Sequence, residues 1–177
     1  MGQIAGEAGL SRSLLYRHFA TRDEVVLASM ERACRRLIVT VSEATSEATD
    51  LAELFTTYLV EMTWMVRSDP VLTEVFRGSN RNVVASLINE HANFMIEDPD
   101  ASARRLRAER PGFLEQLRPG LTFREALEYV RTFGVNLATA PPRVVASKPA
   151  LRRYVVTFLI PVLVADPPPV PPRPRRR

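Results

Sequence analysis

The chain has 177 residues, 46% of them apolar, which suffices for a real core in one domain or in a small unit joined to a larger one. Its net charge of +4 belongs to Arg173, Arg175, Arg176 and Arg177, and the rest balances 20 basic against 20 acidic residues, so bulk charge says nothing about nucleic acid. Seven glycines and few alternating runs exclude a sheet protein, no run is long enough for a membrane span, and the lone Cys34 excludes an internal disulfide and points to a reducing, cytoplasmic setting.

Residues 4–19 read as two short helices. Ile4, Ala5 and Ala8 share one face of the first. Gly9 stands where a left-handed residue ends a helix, a conformation cheap only for glycine. Leu10 is expected to plug the corner, and Ser11 to cap a second helix. Leu15 and Phe19, four apart, should turn inward, leaving Arg12, Ser13, Tyr16, Arg17 and His18 on the opposite face. Such a layout can lay its second helix in a DNA major groove.

Thr21 and Glu24 form a T-x-x-E capping box for a long helix to about Thr49, with Val26, Met30, Ala33, Leu37 and Val41 inward. Cys34 falls in that apolar pattern and reads as a small buried hydrophobe. Asp50 and Glu53 repeat the capping signal before Leu51, Leu54, Phe55, Tyr58, Leu59, Met62, Met65 and Val66, the clearest amphipathic pattern in the chain. Ser68-Asp69-Pro70 stops that helix and starts another, lined by Val71, Leu72, Val75 and Phe76. A further helix is expected over Asn80–Glu97, with Val84, Leu87, Ile88 and Met95 inward, closed by Asp98-Pro99. A short helix near Ala101–Glu109 precedes a loop broken at Pro111-Gly112 and Pro119-Gly120. Thr122 and Glu125 cap a helix through Phe123, Ala126, Leu127, Val130, Phe133 and Leu137 to about Ala140. The last helix starts near Pro149, carries Leu151, Tyr154, Val155, Phe158, Leu159, Val162 and Leu163, and should bend at Pro161. From Pro167 six prolines and four arginines stand among the last eleven residues, which predicts an extended, disordered tail. The fold class is all-α, divided at residues 1–22, 23–165 and 166–177.

The pattern I-A-x-x-A-G-L-S from Ile4 to Ser11, then L-Y-x-H-F from Leu15 to Phe19, then Arg22, resembles the TetR family of bacterial one-component transcription regulators. The resemblance is specific over about twenty residues and otherwise one of architecture: an N-terminal helix-turn-helix, then a multi-helix ligand-binding and dimerisation domain. It implies a regulator, in most cases a repressor, that binds a palindromic double-stranded DNA operator as a homodimer. Tyr16, His18 and Arg22, with the start of the second helix at Ser11, match the phosphate contacts; Arg12, Ser13 and Arg17 match base readers, and Leu14 could meet a thymine methyl.

The stripe Phe55, Tyr58, Leu59, Met62, Met65, Phe76 and Met95, with His91 beside it, has two readings. A core stripe is the commoner origin of such spacing. The resemblance implies instead a cavity among these helices for a small apolar effector. The last two helices are apolar on more than one side, and the resemblance places a dimer interface there, through Phe123, Leu127, Val130, Tyr154, Phe158 and Val162.

No acid–base pair, nucleophile elbow or phosphate loop argues for an enzyme, no second His or Cys at ligand spacing makes His91 a metal ligand, and no cofactor is expected. A rival to the regulator is a helical ligand- or partner-binding remnant that dimerises without binding DNA. Only three residues precede Ile4, where the family carries a covering helix of about three turns. The expectation is therefore either a true start further upstream or a reading head that is poorly held.

Overall fold

A computed structural model describes residues 1–77 and 98–172 of the chain. Its regular structure is helical, with a single isolated β-bridge, Leu117 to Val164, among the described residues. The helix expected over Asn80–Glu97, and with it His91 and Met95, lies outside the described residues.

Two short helices, α1 (Gly2–Glu7) and α2 (Arg12–His18), meet at Gly9, which has a φ of +65°. The Leu10 amide donates to the Ala5 carbonyl at 2.9 Å and the Gly9 amide to the Gly6 carbonyl at 3.2 Å. This pair of bonds satisfies the free carbonyls of the α1 end and requires the left-handed residue that glycine provides. Ala5 and Leu15 fill the angle between the helices and are buried, whereas Leu10, expected as the plug, is 42% exposed.

The long helix α3 (Arg22–Ser46) starts at Thr21, whose hydroxyl accepts from the Glu24 amide. The Glu24 carboxylate reaches one residue further back than a capping box requires, accepting from the Ala20 amide at 2.8 Å. Met30, Ala33, Cys34, Leu37 and Val41 are buried as the pattern required, but Val26 is not. It lies in the first turns, beyond the reach of the core. The helix ends at Ser46, short of Thr49, where the Arg110 guanidinium donates to the carbonyls of Ser46 and Ala48 and, at 3.4 Å, of Thr45.

Helix α4 (Leu51–Ser68) is the centre of the molecule, packing on α3 and on all three of the helices α5 (Pro70–Arg77), α7 (Phe123–Thr139) and α8 (Lys148–Phe158). The Asp50 carboxylate caps it through the Glu53 amide at 2.7 Å, and the Gln116 side chain accepts from the Leu51 amide at 2.7 Å. Glu53 does not complete a capping box; Thr57 donates to it at 2.9 Å and it pairs with Arg152 of α8. Phe55 stacks on Phe123 with centroids 6.5 Å apart, and Gly134 of α7 lets the two helices close. A methyl at Gly134 would collide with the Met62 methyl and meet Leu59 Cδ2 at 3.1 Å.

Asp69 joins three elements. One carboxylate oxygen accepts from the Val71 and Leu72 amides at the start of α5, and the other pairs with Arg36 of α3. Asp98 opens α6 (Pro99–Glu109) by accepting from the Asp100 and Ala101 amides, so α6 begins two residues earlier than expected; the helix end that Asp98 was expected to close lies outside the described residues. The expected loop holds a short 3-10 turn, Leu114–Gln116, and is stitched to the end of the chain by Arg118 N–H to the Leu163 carbonyl and Ala165 N–H to the Gln116 carbonyl. Thr122 and Glu125 form the full reciprocal cap of α7. Pro161 does more than bend the last helix: α8 stops at Phe158 and a separate turn, α9 (Ile160–Leu163), follows.

One apolar cluster runs from Met30 to Val164 through α3, α4, α5, α6, α7, α8 and α9; Ala5 and Leu15 are buried but lie outside it. Beyond α9, residues 166–172 have no helix or strand, and the Arg153 guanidinium donates to the Pro171 carbonyl, which anchors this stretch on α8. Among the described residues no helix is long and apolar enough to cross a membrane.

Candidate functional site

The exposed face of α2 is the first candidate surface. The Ser11 hydroxyl accepts from the Leu14 amide at 3.2 Å and lies 3.1 Å from the Ser13 hydroxyl, so both serines are engaged in starting the helix. Tyr16 is 54% exposed, and Arg17, His18 and Arg22 are also exposed. Neither Arg17 nor Arg22 has an ion-pair or hydrogen-bond partner among the described residues. No carboxylate occurs between Ala8 and Arg22, so the face of α2 itself is basic, and Asp23 and Glu24 follow directly after Arg22. Arg17 and His18 also occupy the last turn of α2, where a cation is favoured by the helix dipole alone.

Two expected contact residues are placed differently. The Arg12 guanidinium folds back over Gly2, so near that a methyl there would meet its Nη2 at 2.6 Å. Arg12 therefore spans α1 and α2 rather than projecting beside Arg17. Leu14 is half-buried, turned partly from the exposed face by the helical period that buries Leu15.

The apolar stripe divides. Phe55, Leu59 and Met62 are closed into the core, and Met65 and Phe76 pack on its edge. Among the described residues of the set, Tyr58 alone lines a cavity of about 160 Å³ between the end of α3, the first half of α4 and α6. Its walls include Ser42 of α3 and Ser102, Arg105, Glu109 and Arg110 of the segment expected as a short helix and loop, none of which the sequence pattern marked as a site. The available signal was the spacing of Ser102, Arg105 and Glu109, three and four apart on one face of α6. Complete burial pushes the Tyr58 hydroxyl pKa far above its ordinary value, opposed in part by the charge of Arg131, so the phenol stays protonated.

Of the expected interface residues, Phe123, Leu127 and Val130 are buried in the chain's own core, because α4 occupies that side of α7. They are not available to a partner. Phe158 is 61% exposed and Val162 is exposed as well. Tyr154 lies between the two situations and belongs to a strip of rings. Tyr129 stacks on Phe133 at 6.0 Å, Phe133 on Tyr154 at 6.3 Å, and Tyr154 meets Phe158 at 4.9 Å. Each helix contributes two aromatics four residues apart, a spacing that gives one contiguous apolar face across α7 and α8.

Comparison with protein-family models, curated proteins and solved structures found no match to this chain.

Proposed function

We propose that this protein is a ligand-responsive transcriptional regulator of the TetR type, most simply a repressor, in which α1 and α2 form a helix-turn-helix that reads a palindromic operator as a homodimer. The observation that carries this reading is the local geometry at Gly9: a helix closed by a left-handed glycine, then a serine-capped helix whose outward face bears Tyr16, Arg17 and His18, with Arg22 following at the start of α3. Tyr16, His18 and Arg22 hold phosphates and set the register; Arg17 reads a base edge, bidentate on guanine where the operator offers one. Ser11 and Ser13 add their hydroxyls at the start of α2. The dimer reading draws on the aromatic strip from Tyr129 to Phe158, which would be covered by the same strip of a second copy.

The test is selection of duplexes by the full chain from a random pool, followed by titration of the selected site. Arg17→Ala should weaken the selected duplex and relax the preference at one base pair, whereas Arg22→Ala should weaken all duplexes alike and lower the salt slope by about one. Normal binding by both variants would remove the assignment.

A second reading has its own observation. Leu10 within the head and Val26 and Leu27 in the first turns of α3 are each exposed. In that reading the chain is a dimeric partner-binding module that does not read DNA, and the selection would enrich no sequence while the dimer persisted.

A further inference from the structure

The cavity at the far end of α3 joins an apolar floor to a wall whose charges already have partners. Val41, Leu54, Tyr58 and Leu106, all buried, form the floor. Arg110 stands in the wall with its guanidinium given to the carbonyls of Ser46 and Ala48 and, at 3.4 Å, of Thr45, and it lies 5.5 Å over the Phe113 ring. Arg105 is engaged as well, and Glu109 adds a carboxylate to the same wall. A charged ligand of either sign would give up its hydration here without meeting an open counter-charge. The hydroxyls add a second restriction. Thr45 shares its one proton between the Val41 and Ser42 carbonyls, at 2.8 and 3.1 Å, and Ser46 donates its own to the Glu43 carbonyl at 2.7 Å. Both oxygens can still accept a hydrogen bond but neither can donate one. The volume, about 160 Å³, matches one six-membered ring, since a cavity of about 150 Å³ holds benzene.

We propose that this cavity binds a small neutral ring bearing a hydroxyl, a phenol by chemical class, with the ring on Leu54 and Leu106 and its O–H donating to Thr45 Oγ1. Thr45 is half-buried and Ser46 exposed, so water competes less for the Thr45 oxygen. A carboxylate has no proton to give to that oxygen and meets guanidiniums that are already engaged. An ammonium has protons but faces two guanidiniums against one carboxylate. An aryl ether fits the floor and has nothing to donate. Binding as such is independent of the regulator reading; only the ligand's role as effector rests on it. The site lies between α6 and the last turns of α3, the helix whose first turn holds Arg22.

Phenol, anisole, benzoate and benzylamine share the ring and differ in charge and in what they can donate. Titrating the full chain with each, by amide chemical shifts and without DNA, tests the proposal. Saturable 1:1 binding of phenol is expected, tighter than that of anisole although anisole is the more apolar, with benzoate and benzylamine weaker than both. Thr45→Val should lower the ratio of phenol to anisole affinity about fivefold, the size of one net hydrogen bond, without weakening anisole. Thr139→Val, the same change at a hydroxyl outside the cavity, should leave the ratio intact. Ser42→Trp, which sets a ring at the exposed rim, should remove binding of both while the helical circular dichroism stays unchanged. Anisole binding as tightly as phenol, a preference for benzoate or benzylamine, no saturable binding, a ratio untouched by Thr45→Val, or phenol binding untouched by Ser42→Trp overturns the proposal. A head that fails to bind DNA leaves these isotherms unaltered, so the two failures are separable.

Discussion

Helix α4 buries eleven of its eighteen residues, while α1 and α2 bury one apiece, Ala5 and Leu15. The two regions have equally good local signals: each has a side-chain cap, and each helix stops where its sequence says. What separates them is what surrounds them. Five helices, α3, α5, α7, α8 and α9, pack on α4, and its buried apolar side chains join one cluster from Met30 to Val164. The head meets chiefly itself, with Leu10, Val26 and Leu27 open beside it. Capping decides where a helix begins and ends; tertiary burial decides how firmly it is held. The α1–α2 unit is thus locally well defined yet weakly tied to the rest of the chain.

Variants that disturb the body should act on the whole fold and those in the head should not. The largest effect is expected for Leu59→Ala, fully buried in α4, at about 3–5 kcal/mol in denaturant unfolding. Leu15→Ala should instead leave the main transition in place and change only probes of α1 and α2; an equal loss from both would end the distinction between the regions. Gly134→Val, which forces a branched side chain against Met62 and Leu59, should cost about 2–3 kcal/mol. Thr63→Val should go the other way. Its hydroxyl is fully buried without a hydrogen-bond partner, as is that of Thr56, and removing it should stabilise the fold by about 1 kcal/mol. Native-state hydrogen exchange sharpens the comparison without mutation: α4 amides should exchange only through global unfolding, and α1 and α2 amides through local opening.

The smallest effect concerns Glu53. Burial alone would raise its pKa, but hydrogen bonds from Arg152 and Thr57 and the charge of Arg152 outweigh that and hold it below the ordinary carboxylate value. The lowered value means that the pair stabilises the fold fully above the unfolded pKa, about 4.3, and that this part is lost as pH falls through the folded value. Glu53→Gln should therefore flatten the acid limb of the stability profile in that range and leave its shape at neutral pH unchanged.

Much of this was legible in the chain itself. The glycine at position 9, the serine at 11 and the threonines at 21 and 122 act through bonds to residues two to five places away, so their effect can be read without knowing the fold. The role of Asp98 as the cap of α6 was not legible, because an Asp-Pro pair serves equally well after one helix and before the next. The cavity and the aromatic strip were less legible. Ser102 and Arg110 face Tyr58 from more than forty residues away, and Phe133 finds Tyr154 across two helices.

The sequence by itself determined that the chain is helical, where most helices start and stop, and that one short basic face follows Gly9, since these depend on period, caps and backbone permissiveness. Only the tertiary structure decided which apolar residues close into core and which stay open. The pattern of Leu127 and that of Phe158 are alike along their helices, yet α4 covers the first and the second stays 61% exposed. Burial is a property of what lies opposite a side chain, and what lies opposite is fixed by how the helices cross, not by the residues on either helix alone.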